Sequence, residues 1–118
     1  MHDAPFTLDA QAERYLTRSL QGFSPPNLGL AICLATHEHE SIHNAHSIDL
    51  CGFGADQLSD CKQHTILGYH IWIRGAEIGL LAGRELTVIE AGAPKKRPRL
   101  VIRGVSEREV RSALLGGR

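Results

Sequence analysis

The stretch "LGLAICLA", residues 28–35, alternates large and small side chains along its whole length. The large ones are Leu28, Leu30, Ile32 and Leu34, and the small ones are Gly29, Ala31, Cys33 and Ala35. Successive side chains of a β-strand point to opposite faces of the sheet. The alternation therefore predicts a strand whose large face meets the core and whose small face lies close to another part of the molecule.

A helix is predicted before this strand, in "TLDAQAERYLTRSLQGFSPP", residues 7–26. Asp9 can cap its N-terminus, Gly22 can end it, and the two prolines that follow prevent it from resuming. Apolar residues at three-to-four-residue spacing predict its buried side: Ala12, Leu16, Leu20 and Phe23. After this helix the pattern changes to strands.

Strand patterns alternate with breakers in the middle of the chain. "HSIDL", residues 46–50, is a short candidate strand, and "CGFGADQLSDCKQH", residues 51–64, has the glycines and polar breakers of a loop. "TILGYHIWIR", residues 65–74, is strand-like, with Ile71 and Ile73 on one face and Trp72 on the other.

The last third of the chain predicts a hairpin and a helix. "AEIGLLAG", residues 76–83, suggests a single helical turn, and residues 84–92 and 97–104 suggest two paired strands. In "VSEREVRSALLGG", Ser106 and Glu109 are spaced as a capping box, which predicts a short C-terminal helix. The order of elements indicates a β-rich α+β domain.

Length and composition are those of a single globular domain. The chain has 118 residues, of which 42% are hydrophobic and 22% are charged. We expect one domain over residues 1–118, with a core of about 6–103 and a C-terminal tail or helix at 104–118. No apolar run approaches the roughly 18 residues of a membrane span. "MHDAPFTLDA" has no signal-peptide pattern, so we expect a cytoplasmic protein.

The net charge is zero, but its distribution is uneven. Residues 1–83 carry four Lys/Arg and nine Asp/Glu, giving −5, whereas residues 84–118 carry nine and four, giving +5. Such polarity can attract a partner or favour head-to-tail association. We therefore expect a monomer or a weak homo-oligomer, and the balance does not favour a general nucleic-acid binder.

The element order resembles the HesB/IscA-like family of A-type iron–sulfur carriers. The likeness is in "FTLDAQAERYLTRSL", in "LGLAICLAT" and in "YHIWIRGAEIGLLAGRELTVIEAG" followed by "RPRLVI", and it covers most of residues 6–103. This resemblance implies a HesB-like curved β-sandwich with an N-terminal helix and a short C-terminal helix.

The resemblance does not extend to the family's ligands. The family uses one cysteine after its first core strand and two in a C-terminal C-G-C. The first falls at or near His39 here, and "SEREVRSALLGG" contains no cysteine. The chain is thereby similar to a cysteine-lacking subgroup, called DsrR, that is encoded with dissimilatory sulfite reductase genes in sulfur-oxidising bacteria.

A lost ligand set implies a scaffold rather than an enzyme or a carrier. We expect a non-enzymatic protein without a cofactor that acts by protein or nucleic-acid contacts, as an accessory or regulator of sulfur oxidation. The sequence contains neither a Gly-rich phosphate loop nor G-x-S-x-G, which agrees with this expectation. The alternative is an iron or iron–sulfur cluster carrier that uses His39 with Cys33, Cys51 or Cys61.

The segment "THEHESIHNAH", residues 36–46, is the candidate metal site of the sequence. It holds His37, His39, His43 and His46. Imidazole and carboxylate groups suit zinc, nickel or iron(II), but H-E-x-x-H and C-x-x-C are both absent. We interpret the segment as a solvated polar loop or edge segment, with weak chelation of divalent metal as the alternative.

The three cysteines are odd in number and irregularly spaced, which argues against a disulfide framework. Cys33, within an apolar strand, is expected to be a small buried hydrophobe. Cys51 and Cys61 are nearer each other in the chain. They are interpreted as loop or packing thiols, with a shared metal or a reversible disulfide as the alternative.

Positive charge is concentrated in "APKKRPR", residues 93–99. Its charged residues are Lys95, Lys96, Arg97 and Arg99. We interpret this basic tip as a solvated hairpin turn that protects an edge strand. The alternative is a patch that docks an acidic protein or nucleic acid, although few aromatic residues lie nearby to stack bases.

Overall fold

The predicted two-faced strand lies inside a mixed sheet. The computed structural model describes residues 2–33, 45–91 and 97–115. Within these ranges the elements are β1 Thr7–Leu8, α1 Ala10–Gly22, β2 Leu28–Ile32, β3 Ala45–Gly52, a 3₁₀ helix Ala55–Asp60, β4 Cys61–Ile66, β5 Tyr69–Arg74, α2 Gly75–Leu81, β6 Glu85–Ala91, β7 Arg97–Arg103 and α3 Glu107–Leu114.

The strands form one sheet in the order β1-β6-β7-β3-β2-β5-β4. The pairs β1/β6 and β2/β5 are parallel, and the four other pairs are antiparallel. The described residues therefore form a strand-rich α+β domain, as the sequence predicts. No helix among them is both long and apolar enough to cross a membrane.

Both faces of β2 are as the alternation predicts. Leu28, Leu30 and Ile32 are buried in the core. On the small face, a Cβ placed on Gly29 would lie 2.2 Å from Cε2 of Phe53. The absence of a side chain at Gly29 therefore lets the Phe53 ring lie directly against the strand.

Helix α1 begins and ends where its sequence signals predict. An Asp9 side-chain oxygen accepts a hydrogen bond from the Ala12 N–H at 2.8 Å, and the same carboxylate accepts one from the Thr87 hydroxyl. The helix ends at Gly22. The predicted stripe is wrong at Phe23, which is 41% exposed, because the backbone there is extended and leaves the helical period.

The prediction of a loop at residues 51–64 is wrong in part. Residues 51–52 belong to β3, residues 55–60 form the 3₁₀ helix, and residues 61–64 begin β4. Residues 65–74 are likewise not one strand but the end of β4, a turn and β5. The turn is at Leu67 and Gly68, which both have positive φ, the backbone of a tight two-residue hairpin turn.

The C-terminal elements follow their local signals. Helix α2 is longer than the predicted single turn. Strands β6 and β7 pair in antiparallel register, as predicted. Ser106 Oγ accepts a hydrogen bond from the Glu109 N–H at 3.1 Å, and the fully buried Val110 anchors α3 to the core. This confirms the capping box and the predicted helix.

One apolar core lies between the sheet, α1 and the two later helices. Its fully or almost fully buried members include Leu16 and Leu20 from α1, Leu30 from β2, Ile71 from β5 and Ile102 from β7. The core occupies one face of the sheet, and the side chains on the opposite face of β2 and its neighbours lie outside it.

Candidate functional site

The three cysteines share the outer face of the sheet. Gly29 lies opposite Cys51 on β3 and beside Trp72 on β5, and Cys61 on β4 lies opposite Arg74 on β5. Opposed residues, and residues two apart on a strand, point to the same face. Cys33 continues the same face, since its N–H donates to the Ser47 carbonyl at 2.8 Å. We call this surface the cysteine face.

An ion pair lies at the centre of the cysteine face. Glu77, from α2, is fully buried, and its two carboxylate oxygens accept hydrogen bonds from the Ile32 N–H and from Arg74 Nε, both at 2.5 Å. Since β5 ends at Arg74, the carboxylate substitutes for a strand carbonyl as the partner of Ile32. The hydrogen bond to Glu77 is the main cause of a raised pKa for Arg74. The pair thus joins α2 to β2 and β5.

The side chain of Phe53 lies between Gly29 and Arg74. Its ring is buried over Gly29, and the Arg74 guanidinium carbon lies 5.9 Å from the ring centroid. This distance is within the range of a cation–π contact. The small face of β2 is therefore covered by Phe53, with Arg74 beside it.

The thiols of Cys51 and Cys61 are held in the protonated form by a raised pKa. Burial is the largest cause of a raised pKa for both Cys51 and Cys61, and the Glu77 carboxylate raises both further. The Arg74 charge acts in the opposite direction on both without cancelling the effect. Because thiolates are the nucleophiles and metal ligands, neither thiol is activated at neutral pH.

The Cys33 side chain is not a core hydrophobe, so that prediction is wrong. It is half-buried on the cysteine face, and its Sγ donates to the Asp49 carboxylate at 3.0 Å. The alternation of residues 28–35 already places Cys33 on the small face, opposite Ile32. The prediction of a buried Cys33 followed from the apolar neighbours Ile32 and Leu34 and not from this alternation.

Cys51 and Cys61 belong to strands that are not neighbours. Strands β2 and β5 lie between β3 and β4. Three inter-strand spacings separate their Cα atoms by about 14 Å along a flat sheet, although both side chains lie on the same face and, after burial, Glu77 and Asp49, the Cys61 charge also raises the pKa of Cys51. A disulfide requires Cα atoms within about 7 Å. This arrangement therefore does not join the two cysteines in a disulfide. In the described parts of the chain no three His, Cys, Asp or Glu residues are placed to hold one metal ion.

The histidine segment is only partly within the described residues. His37, His39 and His43 lie outside them. His46 lies on β3 and is fully buried, with Nε2 at 2.9 Å from the Val105 carbonyl oxygen. The interpretation of residues 36–46 as a solvated loop is therefore wrong at His46, because that residue belongs to the core face of a strand.

The basic tip is also only partly within the described residues. Lys95 and Lys96 lie outside the described residues, whereas Arg97 is exposed and Arg99 is half-buried on β7. Within the described chain Arg97 faces Ala91 across the β6–β7 hairpin, and Arg99 faces Ile89. The predicted turn itself, at residues 92–96, lies outside the described residues and stays a prediction.

Sequence reasoning missed Glu77 and Phe53. Glu77 is the lone carboxylate in "GAEIGLLAG", residues 75–83, and lies three positions after Arg74. A single acid in an apolar helix, at ion-pair spacing from an arginine, is a signal of a buried carboxylate. Phe53 lies between two glycines, and no local pattern predicts that its ring covers β2.

Comparison of the chain with protein-family models, with curated proteins and with solved structures finds no match. A functional assignment must therefore start from the residues of the cysteine face, the basic tip and the surfaces between the elements.

Proposed function

We propose that the protein is a HesB-like scaffold, related in pattern to the A-type carriers, that acts through protein contacts and not as an enzyme. Its role would be accessory or regulatory, with sulfur oxidation as the process that the resemblance suggests. The order of elements supports this proposal: a short strand and capped helix, a small-faced core strand, and a later hairpin followed by a short helix.

The observation that carries the proposal is the state of the cysteines. The thiols of Cys51 and Cys61 are separated by two strands, and burial keeps both protonated. At the C-terminus, where the family has its C-G-C, this chain has helix α3, whose capping box and buried Val110 fix it to the core. These features suit a structural part of a domain better than a ligand set.

A protein partner is favoured over a nucleic acid. Tryptophan and arginine on the cysteine face are engaged in packing, since Trp72 is half-buried and Arg74 is bonded to Glu77. Single-stranded nucleic acids are bound mainly by aromatic side chains that are free to stack on bases.

Anaerobic reconstitution with iron and sulfide tests the proposal. We expect no stable coloured species, because a cluster requires thiolate ligands in reach of one another. The matched control is the variant in which Cys33, Cys51 and Cys61 are all replaced by Ser. A brown wild-type protein with stoichiometric iron, together with a colourless variant, would overturn the scaffold proposal.

The alternative carrier function has one observation in its favour. Cys33, Cys51 and Cys61 all lie on one face of the sheet. His39, which aligns with the family's first cysteine, would complete such a set. His39→Asn separates the two functions, because iron bound by this alternative set is lost in that variant and in the triple-serine variant.

A further inference from the structure

A groove runs along one flank of α1, where the helix crosses β6, β7 and β3. Near the N-terminal half of α1 it has a volume of about 380 Å³ and is lined by Tyr15, Val88, Ile89 and Pro98, among others. A second stretch of about 330 Å³ is lined by Phe23, Ile48, Leu50 and Leu100, among others. Tyr15 and Ser19 line both stretches, so the two adjoin along the helix. We call the whole the α1 groove.

The floor of the α1 groove is apolar, whereas its rim is charged. Tyr15, Val88 and Leu50 are half-buried and pack on the core, and the exposed ring of Phe23 stands at the far end. Arg14 and Arg18 line the rim at the other end, together with Glu90. This combination of an apolar floor and charged rim is typical of protein interfaces.

The two rim arginines carry charge that is available to a partner. The Thr87 hydrogen bond is the main cause of a lowered pKa for Asp9, to which the Arg14 charge adds, but among the described residues neither arginine forms an ion pair. Pro98 also lines the groove, and its strand neighbours Arg97 and Arg99 point to the opposite face of the sheet. The positive charge that lines the α1 groove is therefore that of Arg14 and Arg18.

Glu90 decides between the classes of partner. A nucleic-acid backbone places a phosphate at every nucleotide, and the Glu90 carboxylate at the rim repels it. A peptide can place carboxylates beside Arg14 and Arg18 and an apolar side chain beside Glu90. We propose that the α1 groove docks a segment of a partner protein in which apolar side chains are flanked by carboxylates. This proposal rests on the scaffold function and names the surface through which it works.

An amide-resolved NMR titration with synthetic peptides tests the proposal. The probe is a short peptide with a central phenylalanine–leucine pair flanked by glutamates. In one matched peptide lysines replace the glutamates, and in the other serines replace the apolar pair. We expect the glutamate peptide alone to shift the amides of Tyr15, Ser19, Val88 and Ile89.

Variants separate binding in the groove from binding elsewhere. Arg14→Ser with Arg18→Ser should weaken the glutamate peptide roughly threefold to tenfold, the sum of two exposed ion pairs. Arg103→Ser with Arg108→Ser removes equal charge from exposed residues outside the groove and should leave affinity unchanged. Ser19→Trp should fill the groove and abolish the shifts. Melting temperatures of all variants show whether a loss is due to unfolding.

Several results would overturn the proposal. These are equal binding of the lysine peptide, unchanged binding to a folded Ser19→Trp variant, and displacement of the peptide by a single-stranded oligonucleotide. Concentration-dependent shifts of the same amides without peptide would show that a second copy of the chain fills the groove instead. None of these results bears on whether the chain carries a cluster, because iron and sulfide reconstitution tests that part of the proposed function separately.

Discussion

Gly29 leaves the space on β2 that the Phe53 ring of the cysteine face occupies. A methyl group there would lie 2.2 and 2.5 Å from two carbons of the Phe53 ring and 3.0 Å from the Trp72 carbonyl oxygen. Gly29→Ala must therefore move the Phe53 ring and disturb its contact with Arg74. We expect the free energy of unfolding to fall by about 1–3 kcal/mol, the usual cost of overpacking. Chemical denaturation measures this change.

Gly79 provides the matched control for this substitution. It lies within α2, and a Cβ there would meet no atom within 4 Å. Gly79→Ala should raise stability by about 0.5–1 kcal/mol, since alanine loses less backbone entropy in a helix. Equal effects of the two substitutions would contradict the assigned contact between Phe53 and β2.

His46 is expected to be the one structural histidine of the segment 36–46. Its side chain is fully buried, and Nε2 lies 2.9 Å from the Val105 carbonyl oxygen. His46→Asn should lower the free energy of unfolding by roughly 1–3 kcal/mol, because a buried carbonyl loses its partner. Replacing His37, His39 and His43 together should change it by no more than about 0.5 kcal/mol. Urea unfolding of both variants tests this division.

We expect His64 to make the free energy of unfolding depend on pH. Its side chain is buried at the edge of the core, with Nδ1 3.8 Å from an Asp3 carboxylate oxygen and Nε2 without a partner among the described residues. Burial lowers its pKa, Lys62 lowers it further, and Asp3 acts in the opposite direction. The unfolded chain therefore takes up a proton at a pH where folded His64 remains neutral.

The sign of this dependence follows from proton linkage. The contribution of His64 is fully present above its unfolded pKa of about 6.5 and is lost as pH falls through the lower folded pKa. Stability should thus be lower at pH 5.5 than at pH 7.5. His64→Gln should reduce the difference, whereas His70→Gln, at an exposed position on β5, should not. An unchanged slope in the His64 variant would contradict the assignment.

Residue-scale prediction from the sequence succeeds where one residue has a local role. Asp9 and Ser106 are recognisable as caps because their partners are three residues away. Glu77 and His46 bond to groups 45 and 59 residues distant, which no local pattern contains. The cysteine face could not be predicted without the strand order, because its residues come from strands that are distant in the sequence.

At the scale of elements, α2 is joined to the sheet by one buried carboxylate. Glu77→Ala leaves the Ile32 N–H without its acceptor and frees Arg74, so we expect a loss of about 1–3 kcal/mol. Glu77→Gln retains an amide oxygen for Ile32 and should cost less. Hydrogen exchange of the Ile32 amide reports the bond directly. Faster exchange in the alanine variant than in the glutamine variant is the expected result.

Element boundaries were predictable where capping and turn residues mark them. Helix α1, the β6–β7 pair and α3 all follow such signals. The turn between β4 and β5 was not predictable in this way, because Leu67 has a positive φ, which leucine rarely adopts. On the edge strand β4, the consecutive exposed residues Lys62 and Gln63 interrupt the alternation of buried and exposed side chains by which a strand is recognised. In both places tertiary pairing overrides local preference.

The salt concentration decides whether charges at opposite ends of the molecule act on each other. Its extents are 37 × 33 × 25 Å, and its radius of gyration of 13.7 Å is that of one folded domain. Charges are screened beyond roughly 30 Å at 0.01 M salt but beyond only about 8 Å at physiological salt. The opposed charges of −5 in residues 1–83 and +5 in residues 84–118 therefore act across the molecule only at low salt.

We accordingly expect weak head-to-tail self-association at low salt and a monomer at physiological salt. Replacing Lys95, Lys96 and Arg97 with Ser removes three of the nine positive charges of residues 84–118 and should abolish the species associated at low salt. Lys62→Ser makes the charge of residues 1–83 more negative and should strengthen the association. Sedimentation velocity at both salt concentrations measures the association, and an unchanged melting temperature shows that the fold is retained. If association persists in high salt or ignores both substitutions, an apolar surface such as the α1 groove holds the copies together instead.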